Sequence, residues 1–406
     1  MKNRAMIGLN ALLLAVAVAS PTLAQGSPVE TGPANAPGQN PQFDNQTRAP
    51  QPMSMPPVRA EIVADGLPQL WAMEFLPDGQ MLVTVKSGTM HLISPDGTVG
   101  PAIAGVPEVL ASGQGGLLDV ALAPDFEASK RIFFSFSEQR GDGNGTSVAS
   151  ATLIDDAGAP RLDEVNVIFR QMPSYDGRNH FGSRLVFDSE GALYVTVGER
   201  SDAQVRVQAQ DIGSGLGKVF RIDQKGAALP DNPFVDQNGA QPEIWSFGHR
   251  NMQSAALDGQ GRLWTVEHGP RGGDELNMPE AGLNYGWPEV TYGIEYSGAP
   301  IGEGITASVE TEQPVYYWDP VIAPSGMAFY EGDEFPEWNG AFLIGGLVAQ
   351  AVVVVHLEND RVAFEERVPI GARVRDVKAG PDGAVYAVTE VRGAGSQIVR
   401  LSREQQ

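Results

Sequence analysis

The sequence predicts an all-β chain arranged as a six-bladed β-propeller with inserted loops at one face, and three observations predict it. One theme recurs six times: a β-rich run, a Pro/Asp/Gly turn and a second β-rich run, at 71–85, 117–136, 183–197, 252–266, 325–345 and 374–388. Aligned on Phe75, Leu122, Phe187, Leu257, Phe329 and Ala379, the copies are 47, 65, 70, 72 and 50 residues apart. The short spacings match a blade of about 40–50 residues, and the long ones imply inserted loops. Helical periodicity of any length is missing, and the short alternating runs around Asp-Gly turns are hairpin signals.

The elements follow in order. Lys2 and Arg4 precede a brief apolar run, Leu12 to Ala19, with small residues around Ala24. That pattern reads as a secretory signal peptide over 1–24, and hence a periplasmic or secreted protein. The run is interrupted by Asn10 and short for a retained membrane helix. Residues 25–57, rich in Pro, Gln and Asn, hold few core-forming side chains and predict a flexible tether, so ordered structure is expected from Val58. A partner-binding polyproline segment is the alternative. Arg59 to Val63 looks like a lone strand that joins the last blade beside Ile398 to Leu401 and closes the ring. The propeller domain spans 58–406.

Composition bounds the partners. Formal charge is -22, and becomes -24 if Lys2 and Arg4 leave with the leader. Such an acidic body repels nucleic acid and anionic lipid, and no stable membrane insertion is expected. With no cysteine there is no disulfide, no thiolate metal site and no C-x-x-C-H haem attachment. Stability must come from a large packed core.

In an antiparallel hairpin the start of strand one and the end of strand two share an edge. That edge, opposite the Asp-Gly turns, collects Gln114, His180 with Glu199, Arg250, Asn251, the Gly269 and Pro270 carbonyls, Arg373, Arg375 and Lys86. A carboxylate at Glu199 can orient His180 as a general base. Arg373 and Arg375, on alternate positions, should face one side. Taken singly each residue has a structural reading: His91, His249, His268 and His356 as core histidines, Asp274 and Glu275 as surface acids, Gly269-Pro270 as a turn. The shared edge favours a site. Gly213 to Val219 imitates a phosphate loop, but Ile212 and Val219 break the spacing.

The motifs GQGGLLDVALAPDF (113–126), NHFGSRLVFD (179–188), DNPF (231–234), EIWSFGHRN (243–251), EHGPRGGDELN (267–277), NYGWP (284–288) and RVRDV (373–377) occur in order. From about residue 60 to 403 the chain thereby resembles the soluble PQQ-dependent sugar dehydrogenases, especially the bacterial aldose sugar dehydrogenases. The resemblance implies a six-bladed propeller that oxidises aldoses at C1, with His180 as base, Glu199 as its acidic partner and PQQ as hydride acceptor. It implies that Gln114, Arg250, Asn251, Arg373 and Arg375 contact PQQ or substrate, and that Arg250 is catalytic as well, as an arginine near the quinone that stabilises negative charge developing on its oxygen. It also implies that the carbonyls of Gly269 and Pro270 bind a Ca2+ shared with PQQ, and that Glu275 and Tyr285 bind a second, structural Ca2+. Guanidinium forks suit the three carboxylates of PQQ. The chain departs from the family at Gly345-Gly346-Leu347-Val348, where a G-x-L-K lysine is usual; Lys86 is the candidate replacement. Electrons must leave to a separate acceptor. Two other functions stay open at this point: a calcium-dependent sugar-lactone hydrolase, against which the cationic rim argues, and a binding module that has lost its cofactor, which Val348 favours.

Overall fold

The computed structural model describes residues 26–156, 158–391 and 395–404, so the leader expected at 1–24 lies outside the described residues. Six antiparallel sheets of four strands form the blades. Their innermost strands are Leu70–Phe75, Leu117–Leu122, Leu185–Phe187, Met252–Leu257, Pro324–Phe329 and Arg373–Ala379, and these contact one another in a closed ring. The first two strands of every blade come from one of the six predicted hairpins, because alternating apolar residues around an Asp-Gly turn can bury both faces between neighbouring blades.

The core lies between blades rather than in one centre. Trp71, Leu82 and Met90 of blade one meet Leu118 and Phe134 of blade two. Phe133 and Phe169 on the other face of blade two meet Val195 and Phe220 of blade three. Trp264 and Trp318 of blade four meet Phe342 and Val353 of blade five. Each fully buried large apolar side chain contributes about 1.5–3 kcal/mol.

Ring closure follows the expectation. Strand Val58–Leu67 pairs with Gly395–Arg403 as the outermost strand of blade six, with Ala60 opposite Leu401 and Ile62 opposite Val399. A chain-terminal strand completing the last sheet removes an open edge that would otherwise invite association.

The expected free tether is a correction. Residues 26–57 form a strap bound across the outer strands of blades four and five. Gln46 and Ala49 are fully buried. The Gln46 carbonyl accepts from Tyr317 N at 2.8 Å, and the Pro50 carbonyl accepts from Glu365 N at 3.0 Å. Arg48 Nη2 donates to the carbonyls of Gly32 and Asp319, each at 2.8 Å. Glu30 pairs with Arg367 at 2.8 Å. Proline-rich composition rules out regular structure, but an irregular segment can still dock where the folded surface meets its backbone and polar groups.

A buried triad crosses the central channel. Arg184 reaches Asp119 at 2.8 Å and Asp376 at 3.0 Å, and Nε donates to the Gln253 carbonyl at 2.8 Å. Toward the Asp-Gly turns lies a cavity of about 340 Å³ lined by Glu74, Asp119, Arg184, Phe187, Met327 and Lys378, among others. The residues expected to carry chemistry lie at the opposite end. Among the described residues no helix is long and apolar enough to cross a membrane.

Candidate active site

His180 lies on the connection from blade two to blade three. Blade two ties this loop down: Thr146 Oγ1 donates to the Phe181 carbonyl and Ser135 Oγ to the Ser183 carbonyl, each at 2.7 Å. His180 itself has φ +50°, a left-handed conformation uncommon outside glycine. Its N–H donates to Gln114 Oε1 at 2.8 Å, and Gly182 N donates to Asn251 Oδ1 at 3.0 Å. Gly198 permits the close approach of this loop to the strand end before Glu199; a Cβ there would collide with the His180 carbonyl. The outcome is a contact of 2.6 Å between His180 Nδ1 and Glu199 Oε2.

Both members of the pair are buried, at 7% and 0% exposure. Burial holds the imidazole below its ordinary range, with Arg250 adding to the effect and Glu199 opposing it. For Glu199 burial alone would raise the carboxyl, but the hydrogen bond from His180, the Arg250 charge and the Ser201 N–H together outweigh it and lower it. Ionised Glu199 accepts the proton on Nδ1, which makes Nε2 the lone-pair nitrogen; among the described residues Nε2 has no hydrogen-bond partner.

The cations predicted at this edge come together. Arg250 is buried, donates through Nη1 to the carbonyls of His268 (2.7 Å) and Gly269 (2.9 Å), and leaves Nε without a partner. Arg373 and Arg375 both reach one carboxylate, Glu390, at 3.1 and 2.8 Å. They do so across a bulge: pairing with the next strand shifts between Val374 and Asp376, so simple alternation is not what aligns them. Burial would raise the Glu390 carboxyl, yet Arg375 and then Arg373 hold it down at about 2. Lys86 joins the group, with Nζ donating to the Gly113 carbonyl at 2.5 Å; burial and then Arg375 lower its ammonium from the ordinary range, and Glu390 opposes them. Val348, the position without the family lysine, is exposed, and the Leu347 carbonyl accepts from Arg373 Nη1 at 3.4 Å.

Sequence reasoning missed several neighbours. Gln253 Oε1 accepts from both Arg375 Nη1 (3.0 Å) and His268 Nε2 (3.3 Å). His268, read as structural, is held well below its ordinary range by burial and then by the charges of Arg250 and Arg375. The Trp287 ring lies 5.1 Å from the Arg250 guanidinium, and its Nε1 is buried without a partner. The structural readings of His249 and His356 fit their contacts with Glu267 at 3.0 Å and Glu366 at 2.7 Å.

The expected calcium ligands need qualification by geometry. The Gly269 carbonyl already accepts from Arg250, leaving its second lone pair for a cation, while its N–H is held by Asp274 Oδ1 at 2.8 Å. Asp274, read as a surface acid, is instead buried, and burial pushes its carboxyl up to about 7. The Tyr285 hydroxyl donates to the Met278 carbonyl at 2.6 Å and accepts from Glu280 N at 3.0 Å. Glu275 sits instead with Glu267 and Asn277, and both burial and Glu267 push it up. Among the described residues no three His, Asp or Glu side chains are arranged so that they could hold a metal ion. A cation on the Gly269 and Pro270 carbonyls would rest on main-chain oxygens, a donor type that calcium accepts.

Known proteins share this architecture. The chain is 46% identical over 340 residues to the aldose sugar dehydrogenase YliI of Escherichia coli, covering 82% of this chain and 90% of that one. The apo crystal structure of the soluble aldose sugar dehydrogenase from Escherichia coli superposes with TM-score 0.81 and 42% identity, over 86% of this chain and 100% of that one. The PQQ-bound aldose sugar dehydrogenase of Streptomyces coelicolor gives TM-score 0.71 and 28% identity, over 86% and 100% of the two chains. Residues 67–400 match the model of the glucose/sorbosone dehydrogenases, and the chain belongs to that family.

Proposed function

We propose that this protein oxidises aldoses at C1 to lactones, with PQQ bound at the cationic mouth, Ca2+ on the Gly269 and Pro270 carbonyls, and a separate electron acceptor. The observation that carries the reading is the 2.6 Å His180–Glu199 pair beside Arg250. When bound, PQQ would supply an ortho-quinone that accepts one hydride equivalent, two electrons with one proton, and calcium would supply a Lewis acid.

The chain's own residues do the rest. His180 Nε2 takes the proton from the C1 hydroxyl, and Glu199 holds Nδ1–H and stabilises the imidazolium that forms. Depression of the imidazole by burial and Arg250 keeps it neutral, and so able to act as a base, below its ordinary range. Arg250, Arg373, Arg375 and Lys86 suit a tricarboxylate, and the unpartnered Nε of Arg250 offers a donor to it. Gln114 and Asn251 hold the backbone of the His180 loop, so their side-chain oxygens orient the base as well as line the mouth. A leader over 1–24 would place this activity in the periplasm or outside the cell.

The test is reconstitution of purified protein with PQQ and calcium, followed by aldose-dependent dye reduction. The expected result is turnover that a calcium chelator suppresses and added calcium restores. No PQQ binding and no reduction with any aldose would overturn the assignment; full turnover in metal-free protein would remove calcium from it.

A further inference from the structure

Arg200 directly follows Glu199 and is 1% exposed. A buried guanidinium is normally matched by a carboxylate, because leaving water costs several kcal/mol (about that order) for each ion. Here all four of its hydrogen bonds go to neutral oxygens: Nε to the Asn179 carbonyl at 3.0 Å, Nη1 to the Asn144 carbonyl at 3.2 Å, and Nη2 to Asn144 Oδ1 at 2.7 Å and the Gly177 carbonyl at 2.8 Å. Its guanidinium carbon lies 4.0 Å from the Phe181 ring and 6.0 Å from the Tyr175 ring. It therefore grips Asn179 and Phe181, the chain neighbours of His180 on either side. Arg200 itself is held at φ +75° and Ser201 at φ +74°, so the clamp is kept in place against backbone strain.

We propose that Arg200 is a positioning residue for the base: its guanidinium clamps Asn179 and Phe181 on either side of His180, and so places in that loop a positive charge that hydrogen-bonds to no carboxylate. The inference rests on the reading of His180 as that base. Burial lowers Arg200 only to about 10, so it is charged at neutral pH. The charged and titratable groups that face His180 are Glu199, Arg250, Arg200 and His268. Glu199 favours the imidazolium, whereas Arg250 and Arg200 oppose it. Arg200 thus joins two requirements of a general base, fixed geometry and a free lone pair, in one side chain.

Two substitutions separate these roles. Arg200→Lys keeps the charge but cannot span Asn179, Gly177 and Asn144 with a planar fork. It should lower kcat about tenfold with KM changed less than about twofold, and leave the His180 titration in place. Arg200→Met removes the charge as well, and should move the His180 imidazole titration, followed by NMR in the cofactor-free protein, to higher pH. The acidic limb of the kcat/KM profile should move with it. If the Met variant does not fold, Asn144→Asp places a carboxylate against the guanidinium and should move the titration in the same direction. An unmoved titration in the charge-altering variants, or a kcat for Arg200→Lys within about twofold of the parent, would overturn the inference. A parent protein that oxidises no aldose would overturn the proposed function instead, and the NMR titration in cofactor-free protein would still decide the role of Arg200.

Discussion

Glu390 holds two guanidinium groups at the mouth of the channel and stays ionised down to about 2. The sign of its contribution follows. Its folded value lies below the unfolded carboxylate, about 4.3, so its stabilisation is present above that pH and is lost as pH falls toward 2. Parent protein should lose about 1–3 kcal/mol more stability than Glu390→Gln between those pH values, measured by denaturant unfolding. Equal acid sensitivity would show that the pair contributes nothing to folding. Lys86, beside Arg375, carries a second residue-scale prediction. Lys86→Ala should weaken PQQ binding about tenfold, and unchanged affinity would remove it from the site. His180, Glu199, Gln114, Arg250 and the two arginines of the last blade were legible because hairpin topology sends strand ends to a known edge. Gln253, Glu390 and Trp287 were not, since their roles depend on which side chains meet across blades. Arg200 was hidden for a different reason: beside Glu199 it reads as an ordinary strand-end cation, and only the folded loop shows what it grips.

At the scale of elements, the hairpins were legible because period-two apolar alternation and Asp-Gly turns are local signals. The bulge at Arg375 was not, because pairing register belongs to two strands at once. The strap was misread from composition. It also buttresses a loop near the site: Gln46 Oε1 accepts from the Tyr292 hydroxyl at 3.0 Å, and Gln46 Nε2 donates to the Pro314 carbonyl at 3.0 Å. The long connection that holds both residues runs from Asn277 to Tyr316, pairs Ile294 with Arg271 and carries Trp287. Deleting residues 26–57 should leave a folded propeller, since the family match begins at residue 67. The truncated protein should unfold at a Tm lower by about 5 °C or more, with faster proteolysis within the 277–316 connection. An unchanged Tm and cleavage pattern would show that the strap only decorates the surface.

Over the whole molecule, six sheets send their strand ends to one mouth while the buried Arg184 triad ties blades two, three and six together. Strongly acidic overall, the chain nevertheless gathers Lys86, Arg250, Arg373 and Arg375 there. Closure by the strand at Val58–Leu67 holds blade six, and with it Arg373 and Arg375, against blade one and Lys86. A rigid ring is what allows groups distant in sequence to meet with the precision that the proposed proton abstraction and tricarboxylate binding would require. An anaerobic titration of parent and His180→Ala protein with PQQ and calcium, followed by addition of an aldose, puts this to the most direct test. Both proteins should bind PQQ with similar affinity, and the aldose should bleach the bound quinone at least about a hundredfold faster in the parent. Equal bleaching rates, or no PQQ bound by either protein, would contradict the account.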